Sequence, residues 1–293
     1  MPELPEVETV RRMLESHVVG RTIESVRLSG KKLRTRVVAT LPSRVRGRSI
    51  DRVRRHGKYL LIDLDGGLSL LSHLGMSGRW LFFPAEPEES LTHVHARIRF
   101  RDGTLLLFQD PRRFGLLRPV ETARADRDPA LAILGPDPIA DPPSGESLRE
   151  LARGLRLNVK NFLLDQRRLA GIGNIYASEI LHRAGVDPRR RAGVIGRQEW
   201  VAIAAETIAV LGEAIDGMGT TFSTYRTLWN EPGAYGERLM VYDRAGQPCL
   251  RCGTSIRRIV QGQRSTFFCP GCQGRKPKDR PKTAKKRGRP RFS

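Results

Sequence analysis

Four cysteines near the end of the chain are spaced as metal ligands. They form two Cys-x-x-Cys pairs separated by sixteen residues: Cys249, Cys252, Cys269 and Cys272. Two such knuckles present four thiolates to one tetrahedral Zn²⁺ ion. Two disulfides would also use all four residues, but the reducing interior of a cell disfavours them. Four thiolates leave no open coordination position, so we expect a structural zinc that takes no part in catalysis.

A proline directly follows the initiator methionine, in the opening "MPELPEVETV". Removal of Met1 would make Pro2 a secondary amine, partly unprotonated at neutral pH because an α-amino group has a pKa of about 8. Attack of this amine on a sugar C1′ forms an iminium, which eases elimination of a neighbouring phosphate. Glu3 is a candidate proton donor, and Lys58, at the start of a predicted strand, is a candidate cationic donor. The same residues also fit a simpler interpretation, in which the proline only precedes a helix that has acidic residues at its positive end.

A glycine-containing turn separates two predicted helices, "LNVKNFLLDQRRL" and "IYASEILHRAG". Gly171 and Gly173 allow a tight turn with outward-pointing N–H groups, and Asn174 begins the next helix at the positive end of its dipole. This arrangement binds phosphate, and helix-turn-helix proteins meet DNA in a similar way. A plain helical hairpin, with glycine and asparagine as caps, fits equally well.

Three other segments could contact a nucleic acid. Between the cysteine pairs the chain alternates like a two-stranded ribbon, and Arg264 lies just past its tip, facing either phosphate or solvent. The segments "HLGMSG" and "DPRRFG" contain Met76, Arg112 and Phe114. Proteins that open duplex DNA insert apolar wedges between bases, with arginines at base edges or phosphates. Core packing is the alternative for Met76 and Phe114.

The charge of the chain favours a polyanionic partner. The 293 residues include 52 Lys and Arg against 31 Asp and Glu, a net charge of +21, of which residues 273–293 supply +9. Nucleic acid is favoured over a membrane because no basic amphipathic anchor is present; a merely solubilising charge is the alternative. Neither a span of roughly 18 apolar residues nor a signal peptide is found, so we expect a cytoplasmic location and no membrane partner.

The elements that would position these residues form an α+β protein. Apolar residues at helical spacing after Pro5 predict an N-terminal helix, and Asp-Gly turns at 65–67 and 102–103 predict two hairpins. A proline-rich linker precedes the helical part. The predicted boundaries are 1–130 for the strand-rich domain, 131–148 for the linker, 149–236 for the helical domain, 237–274 for the zinc hairpin and 275–293 for a basic disordered tail.

Seven segments together resemble the formamidopyrimidine-DNA glycosylases, a family of bacterial base-excision repair enzymes. In chain order they are "PELPEVET", "GKYLL", "HLGMSG", "DPRRFG", "LGPDP", "LLDQRRLAGIGNIYASEIL" and "QRSTFFCPGC". The resemblance implies a β-sandwich, then a helix–two-turns–helix domain ending in the zinc hairpin, with duplex DNA between the two. It implies a monomeric glycosylase and abasic-site lyase for 8-oxoguanine and formamidopyrimidines, associated with the nucleoid. One structural Zn²⁺ is implied, without a catalytic metal or nucleotide cofactor.

The resemblance also implies roles for individual residues. Pro2 would be the Schiff-base nucleophile and Glu3 its proton donor, and Glu6 would order the N-terminal helix and the nucleophile. Lys58 would donate in β-elimination and Arg264 in δ-elimination. The remaining implied contacts with DNA fall into three groups: Met76, Arg112 and Phe114 in the gap left by the flipped nucleotide, with Arg112 on the orphaned cytosine; Lys160, Asn174 and Arg264 on flanking phosphates; His93 and Arg156 at further positions.

Three segments depart from the family pattern. The loop "GMGTTFSTYRTLWNEPGAYG" lacks the usual paired glycines and adds aromatic residues such as Phe222, so contacts to the lesion do not carry over. "THVHAR" lacks the usual acidic residue between its histidines. The chain also continues past the last cysteine, where "KKRGRPR" resembles an AT-hook core. Arg287 and Arg289 there would enter a narrow A·T minor groove, or the tail would be a nonspecific tether.

Two rival functions fit parts of the pattern. Endonuclease VIII-like glycosylases for oxidised pyrimidines also begin with Pro-Glu and have the zinc hairpin, but lack "HLGMSG" and "DPRRFG" in this form. A non-catalytic DNA-binding homologue would keep the scaffold, but the presence of Pro2, Glu3 and Lys58 argues against it.

Overall fold

The computed structural model describes residues 1–88, 91–221 and 225–274. Phe222, Arg287, Arg289 and the predicted basic tail lie outside the described residues. The helices are α1 Leu4–Val18, α2 Leu41–Val45, α3 Gly145–Ala152, α4 Val159–Leu164, α5 Asn174–Arg183, α6 Arg197–Asp216 and α7 Pro270–Gln273. The strands are β1 Ile23–Leu28, β2 Ile50–His56, β3 Tyr59–Leu64, β4 Leu68–His73, β5 Arg79–Phe83, β6 Val94–Phe100, β7 Leu105–Gln109, β8 Leu116–Glu121, β9 Arg257–Gln261 and β10 Arg264–Phe268.

Helix α1 belongs to both halves of the molecule. Pro5 lies in its first turn, where a missing backbone N–H costs nothing. Leu4 packs in the core of the helical domain, whereas Val7 and Leu14 pack in the core of the strand-rich domain. The first residues of the chain are therefore held where the two domains meet.

The strand-rich domain is a β-sandwich, as predicted. Its two antiparallel sheets have the orders β1-β6-β7-β5 and β2-β3-β4-β8. Both predicted hairpins, β3-β4 and β6-β7, are present. On β6, Ile98 and Phe100 are buried, while Arg99 is half exposed and pairs with Glu24 at 3.1 Å. Arg97, on the same face as Arg99, pairs with Glu86, so this face of the strand is solvated.

The helical domain differs from the sequence-based expectation at two boundaries. Helix α3 begins inside the predicted linker because Ser144 caps it, accepting a hydrogen bond from Ser147 N at 3.0 Å. Helix α4 ends at Leu164, earlier than predicted, because Asp165 accepts a hydrogen bond from Arg167 N at 3.2 Å and turns the chain. The described helices include none with the length and apolar character of a transmembrane segment.

Candidate active site

The amino-terminal residues dock against the turn between α4 and α5. Pro2 and Glu3 are buried. The Glu3 carboxylate accepts hydrogen bonds from Ile175 N at 3.0 Å and Tyr176 N at 3.3 Å, at the start of α5. The positive end of a helix favours a carboxylate there. Glu3 therefore links the start of the chain to the helix that begins with Asn174.

The two turn glycines make room for this docking. A Cβ on Gly173 would lie 2.2 Å from Glu3 Cδ, and one on Gly171 would lie 2.6 Å from Leu4 Cδ1. Gly171 also has φ +94, which favours glycine. The sequence suggested that these glycines expose amides to phosphate. In the structure, the amino-terminal segment packs so closely against these two positions that it leaves no room for a side chain there.

Glu6 orders the backbone around the amine. It is 1% exposed and accepts hydrogen bonds from Glu3 N at 2.7 Å, Thr220 N at 2.8 Å and the Tyr176 hydroxyl. Burial, helped by the negative charge of Glu3, raises the pKa of Glu6 to about 7. Glu6 thus joins the start of α1, helix α5 and the segment after α6.

Two amines with lowered pKa values lie close to these acids. Burial lowers the pKa of the α-amine, which belongs to Met1 in the unprocessed chain and stands in for the Pro2 amine. Lys58 is buried and donates a hydrogen bond to Ile172 O at 3.2 Å. Burial lowers its pKa too, with Glu3 opposing and Arg264 reinforcing the shift. A lower pKa increases the unprotonated, nucleophilic fraction of an amine at neutral pH.

Lys160 joins the turn to the zinc hairpin. It is fully buried, and its Nζ donates to Asn174 Oδ1 at 2.6 Å, Ser265 O at 2.8 Å and Thr266 Oγ1 at 2.8 Å. Burial lowers its pKa to about 8. These three bonds use all the N–H donors of an ammonium group. In this arrangement Lys160 positions Asn174, and exposed Arg264 lies next to Ser265 on β10.

The predicted wedge residues lie on two adjoining loops, the Met76 loop (residues 73–78) and the Phe114 loop (residues 110–115). Met76 and Phe114 are 38% and 45% exposed, unusual for such apolar side chains, so core packing does not explain them. Arg112 stacks on the Phe114 ring, with Cζ 4.9 Å from the centroid. The two loops thus present an apolar pair and an arginine to solvent.

Asp110 and Ser77 connect these loops and were missed from the sequence. The buried Asp110 carboxylate accepts hydrogen bonds from Ser77 Oγ and from Gly115 N, the latter at 2.7 Å. Both residues occur in the quoted motifs, but a short polar side chain in a loop does not reveal its long-range partner. The two other predicted DNA contacts, His93 and Arg156, are both exposed.

The four cysteines form one cluster whose geometry fits zinc. Their Sγ atoms all lie within 4.8 Å of one another, with 3.8 Å between Cys249 and Cys272 and 3.4 Å between Cys252 and Cys269. Four sulfurs about 2.3 Å from a tetrahedral ion would be separated by about 3.8 Å, whereas a disulfide needs about 2.05 Å. The cluster closes the base of the β9-β10 hairpin, which carries Arg264.

Three family models match consecutive parts of the chain. They are the formamidopyrimidine-DNA glycosylase N-terminal domain over residues 1–117, the H2TH domain of the same enzymes over 134–225, and the zinc finger found in FPG and IleRS over 246–274. The cluster of four cysteines is therefore the structural zinc site of a known finger type.

Curated relatives and solved structures agree with these models. Formamidopyrimidine-DNA glycosylases of Xanthomonas campestris and Methylococcus capsulatus are 43% and 44% identical, each aligned over 93% of this chain and 100% of its own length. The MutM (Fpg) protein of Thermus thermophilus has a TM-score of 0.83 at 38% identity, covering 94% of this chain and 100% of that one. A Lactococcus lactis Fpg mutant has a TM-score of 0.86 at 32% identity, covering 93% and 100%. With its buried Pro-Glu start docked on the helix–two-turns–helix domain, the chain belongs to the formamidopyrimidine-DNA glycosylase family.

Proposed function

We propose that the chain excises oxidised purines from duplex DNA and then cleaves the strand through a Schiff base on Pro2. The observation that carries this proposal is the position of Pro2. It is buried where the amino-terminal segment docks on the turn before α5, and burial lowers the pKa of the adjacent α-amine, on which the charges of Glu3, Glu6, Lys58 and Arg112 also act. The Lactococcus lactis structures similar to this chain contain Fapy-dG DNA in one case and abasic-site DNA in another, which supports damaged duplex DNA as the substrate.

The first step requires an unprotonated Pro2 nitrogen after removal of Met1. Its lone pair forms a bond to C1′ of the flipped nucleotide, and the glycosidic bond breaks with its electrons leaving on the base, which takes up the proton that the Pro2 nitrogen then loses. Glu3 supplies the proton for the opening of the sugar ring at O4′. The product is a ring-opened iminium between Pro2 and C1′. Because its nitrogen is secondary before attack, this cation needs no further proton.

Two eliminations follow from that iminium. Its charge acidifies the C2′ proton, whose loss expels the 3′ phosphate; a second elimination expels the 5′ phosphate. We assign the stabilisation of these departing groups to Lys58 and Arg264. The charge of Arg264 contributes to the lowered pKa of Lys58, which supports a shared role for the two. Water then releases the sugar remnant from Pro2 and leaves a one-nucleotide gap.

The remaining candidate residues prepare the substrate. Met76, Arg112 and Phe114 fill the gap left by the flipped base, which offsets the few kcal/mol lost on unstacking. Asn174, held by Lys160, and Arg264 bind the flanking phosphates. We place this activity in the cytoplasm at the nucleoid, where the duplex substrate lies.

Borohydride trapping tests the proposal. The purified protein is incubated with duplexes that carry 8-oxoguanine, an oxidised pyrimidine or no lesion, and borohydride reduces any iminium to a stable adduct. We expect a covalent adduct and a one-nucleotide gap with 8-oxoguanine. The Pro2→Gly variant and a protein that retains Met1 should each form at least about tenfold less trapped adduct, because each lacks the secondary amine.

Two results would count against the proposal. Absence of an adduct on every substrate would remove the Schiff-base mechanism. A stronger adduct on the oxidised pyrimidine would move the specificity to that of the endonuclease VIII-like enzymes.

A further inference from the structure

Arg34 contacts both wedge loops from the exposed side of the molecule. It lies between β1 and α2. Its backbone N–H donates to Gly115 O at 2.9 Å, and its Nε donates to Phe114 O at 3.1 Å. Its Nη2 lies 3.3 Å from His73 Nδ1. One residue thus contacts the end of the Phe114 loop and the start of the Met76 loop.

His73 extends this contact toward Met76. Its Nδ1 accepts a hydrogen bond from Gly75 N at 2.9 Å, next to Met76 in the chain. Burial, reinforced by the charges of Arg34 and Lys58, lowers the pKa of His73 to about 3. The ring is therefore neutral at physiological pH, and an Nδ1 that accepts from Gly75 and Arg34 carries no proton.

The two loops also touch backbone to backbone. Gly75 has φ +64, and a Cβ there would lie 2.5 Å from the Phe114 carbonyl carbon. The glycine therefore lets the two backbones approach closely, and a larger residue at this position would force the loops apart. Asp110 joins the loops from the buried side, so Arg34 completes the connection on the solvent side.

Two residues near Arg34 help to distinguish its contact with the loops from a general effect of positive charge. Leu33 is 3% exposed in the sandwich core and fixes the segment that carries Arg34. Arg36 is exposed on the same segment, and the described residues offer it no hydrogen bond or ion pair. Arg36 therefore provides a matched arginine that leaves the wedge loops untouched.

We propose that Arg34 is a positioning residue that aligns Met76 with Phe114, so that both enter the duplex together when the damaged nucleotide flips. The inference rests on the proposed function, because insertion belongs to the flipping step. Arg34 acts through its contacts with the carbonyl of Phe114 and the ring of His73, and it does not touch the reacting atoms.

The test compares Arg34→Gln, Arg34→Lys and Arg36→Gln with the wild type on a duplex containing 8-oxoguanine. 2-Aminopurine beside the orphaned cytosine reports unstacking by its fluorescence. We expect both Arg34 variants to lower kcat/KM about tenfold and to diminish the fluorescence rise. Lysine should not rescue, because a point charge cannot reproduce the guanidinium fork that reaches Phe114 O and His73 together. Arg36→Gln should keep the wild-type fluorescence and activity.

Three outcomes would overturn the inference: wild-type behaviour of Arg34→Gln, full rescue by Arg34→Lys, or a loss that affects only the salt dependence of binding and is equal on undamaged DNA. The last outcome would make Arg34 a simple phosphate contact. An inactive wild-type protein contradicts the proposed function itself. If the wild type is active and the Arg34 variants behave in the same way as it does, only this inference is contradicted.

Discussion

At the residue scale, the site depends on acids and amines removed from water. The Glu3 carboxyl group accepts hydrogen bonds from two backbone N–H groups of α5. Glu6 lies in a site where burial raises its pKa to about 7. The bonds that Glu6 accepts from Glu3 N and Thr220 N hold the backbone around the start of the chain.

The raised pKa of Glu6 predicts how stability depends on pH. Because the folded protein raises the pKa of Glu6 from 4.5 to about 7, its contribution to stability is complete below pH 4.5 and is lost as the pH rises through 7. Urea unfolding at pH 5 to 8 should therefore show the wild type losing up to about 3 kcal/mol relative to Glu6→Gln, which cannot titrate. A difference between the two proteins that is constant over this range would contradict the raised pKa.

At the element scale, the turn before α5 contacts both the amino terminus and the residues that we propose to bind phosphate. Its glycines admit Leu4 and Glu3, while Asn174 begins α5 and contacts the zinc hairpin through Ser265 O at 2.9 Å. A displacement of this turn would consequently disturb both the proposed proton donor, Glu3, and the proposed phosphate contact, Asn174.

A pair of glycine substitutions tests this dual use. Gly173→Ala places a Cβ against Glu3 and should lower kcat/KM by about 10²-fold and stability by about 1–3 kcal/mol. Gly212→Ala in α6, where a Cβ meets nothing within 4 Å, should raise stability by about 0.5–1 kcal/mol and keep activity. Steady-state kinetics and thermal unfolding of both variants measure these effects. Wild-type activity in Gly173→Ala would show that the position of Glu3 is not critical.

At the scale of the whole molecule, much of the positive charge lies in the sequence after the zinc finger. The zinc-finger model ends at residue 274, and the curated relatives align over their full length with 93% of this chain. Residues 275–293 contain ten Lys or Arg and one Asp, +9 of the net +21. Gln273, the last helical residue before them, is buried and donates to Val186 O at 2.9 Å.

Deletion of residues 275–293 should weaken DNA binding at low salt and flatten its salt dependence, because each phosphate contact contributes a slope of about −0.9. Single-turnover excision should remain unchanged. Binding to A·T-rich and G·C-rich duplexes distinguishes the two readings of "KKRGRPR": equal losses indicate a nonspecific tether, and a larger A·T loss indicates minor-groove binding. Slower excision in the truncated protein would contradict a purely binding role.

The sequence by itself determined the features that depend on short spacing. The zinc ligands, both sandwich hairpins and the α1 pattern follow from residues a few positions apart, because turns, helices and metal knuckles are local structures. The family resemblance added the fold and the candidate roles. Only the tertiary structure decided which groups meet: Gly173 against Glu3, Lys160 buried behind Asn174, and Arg34 on the carbonyl of Phe114, 80 residues away. Burial, pKa and partner choice arise when distant segments exclude water together, and no local pattern encodes that arrangement.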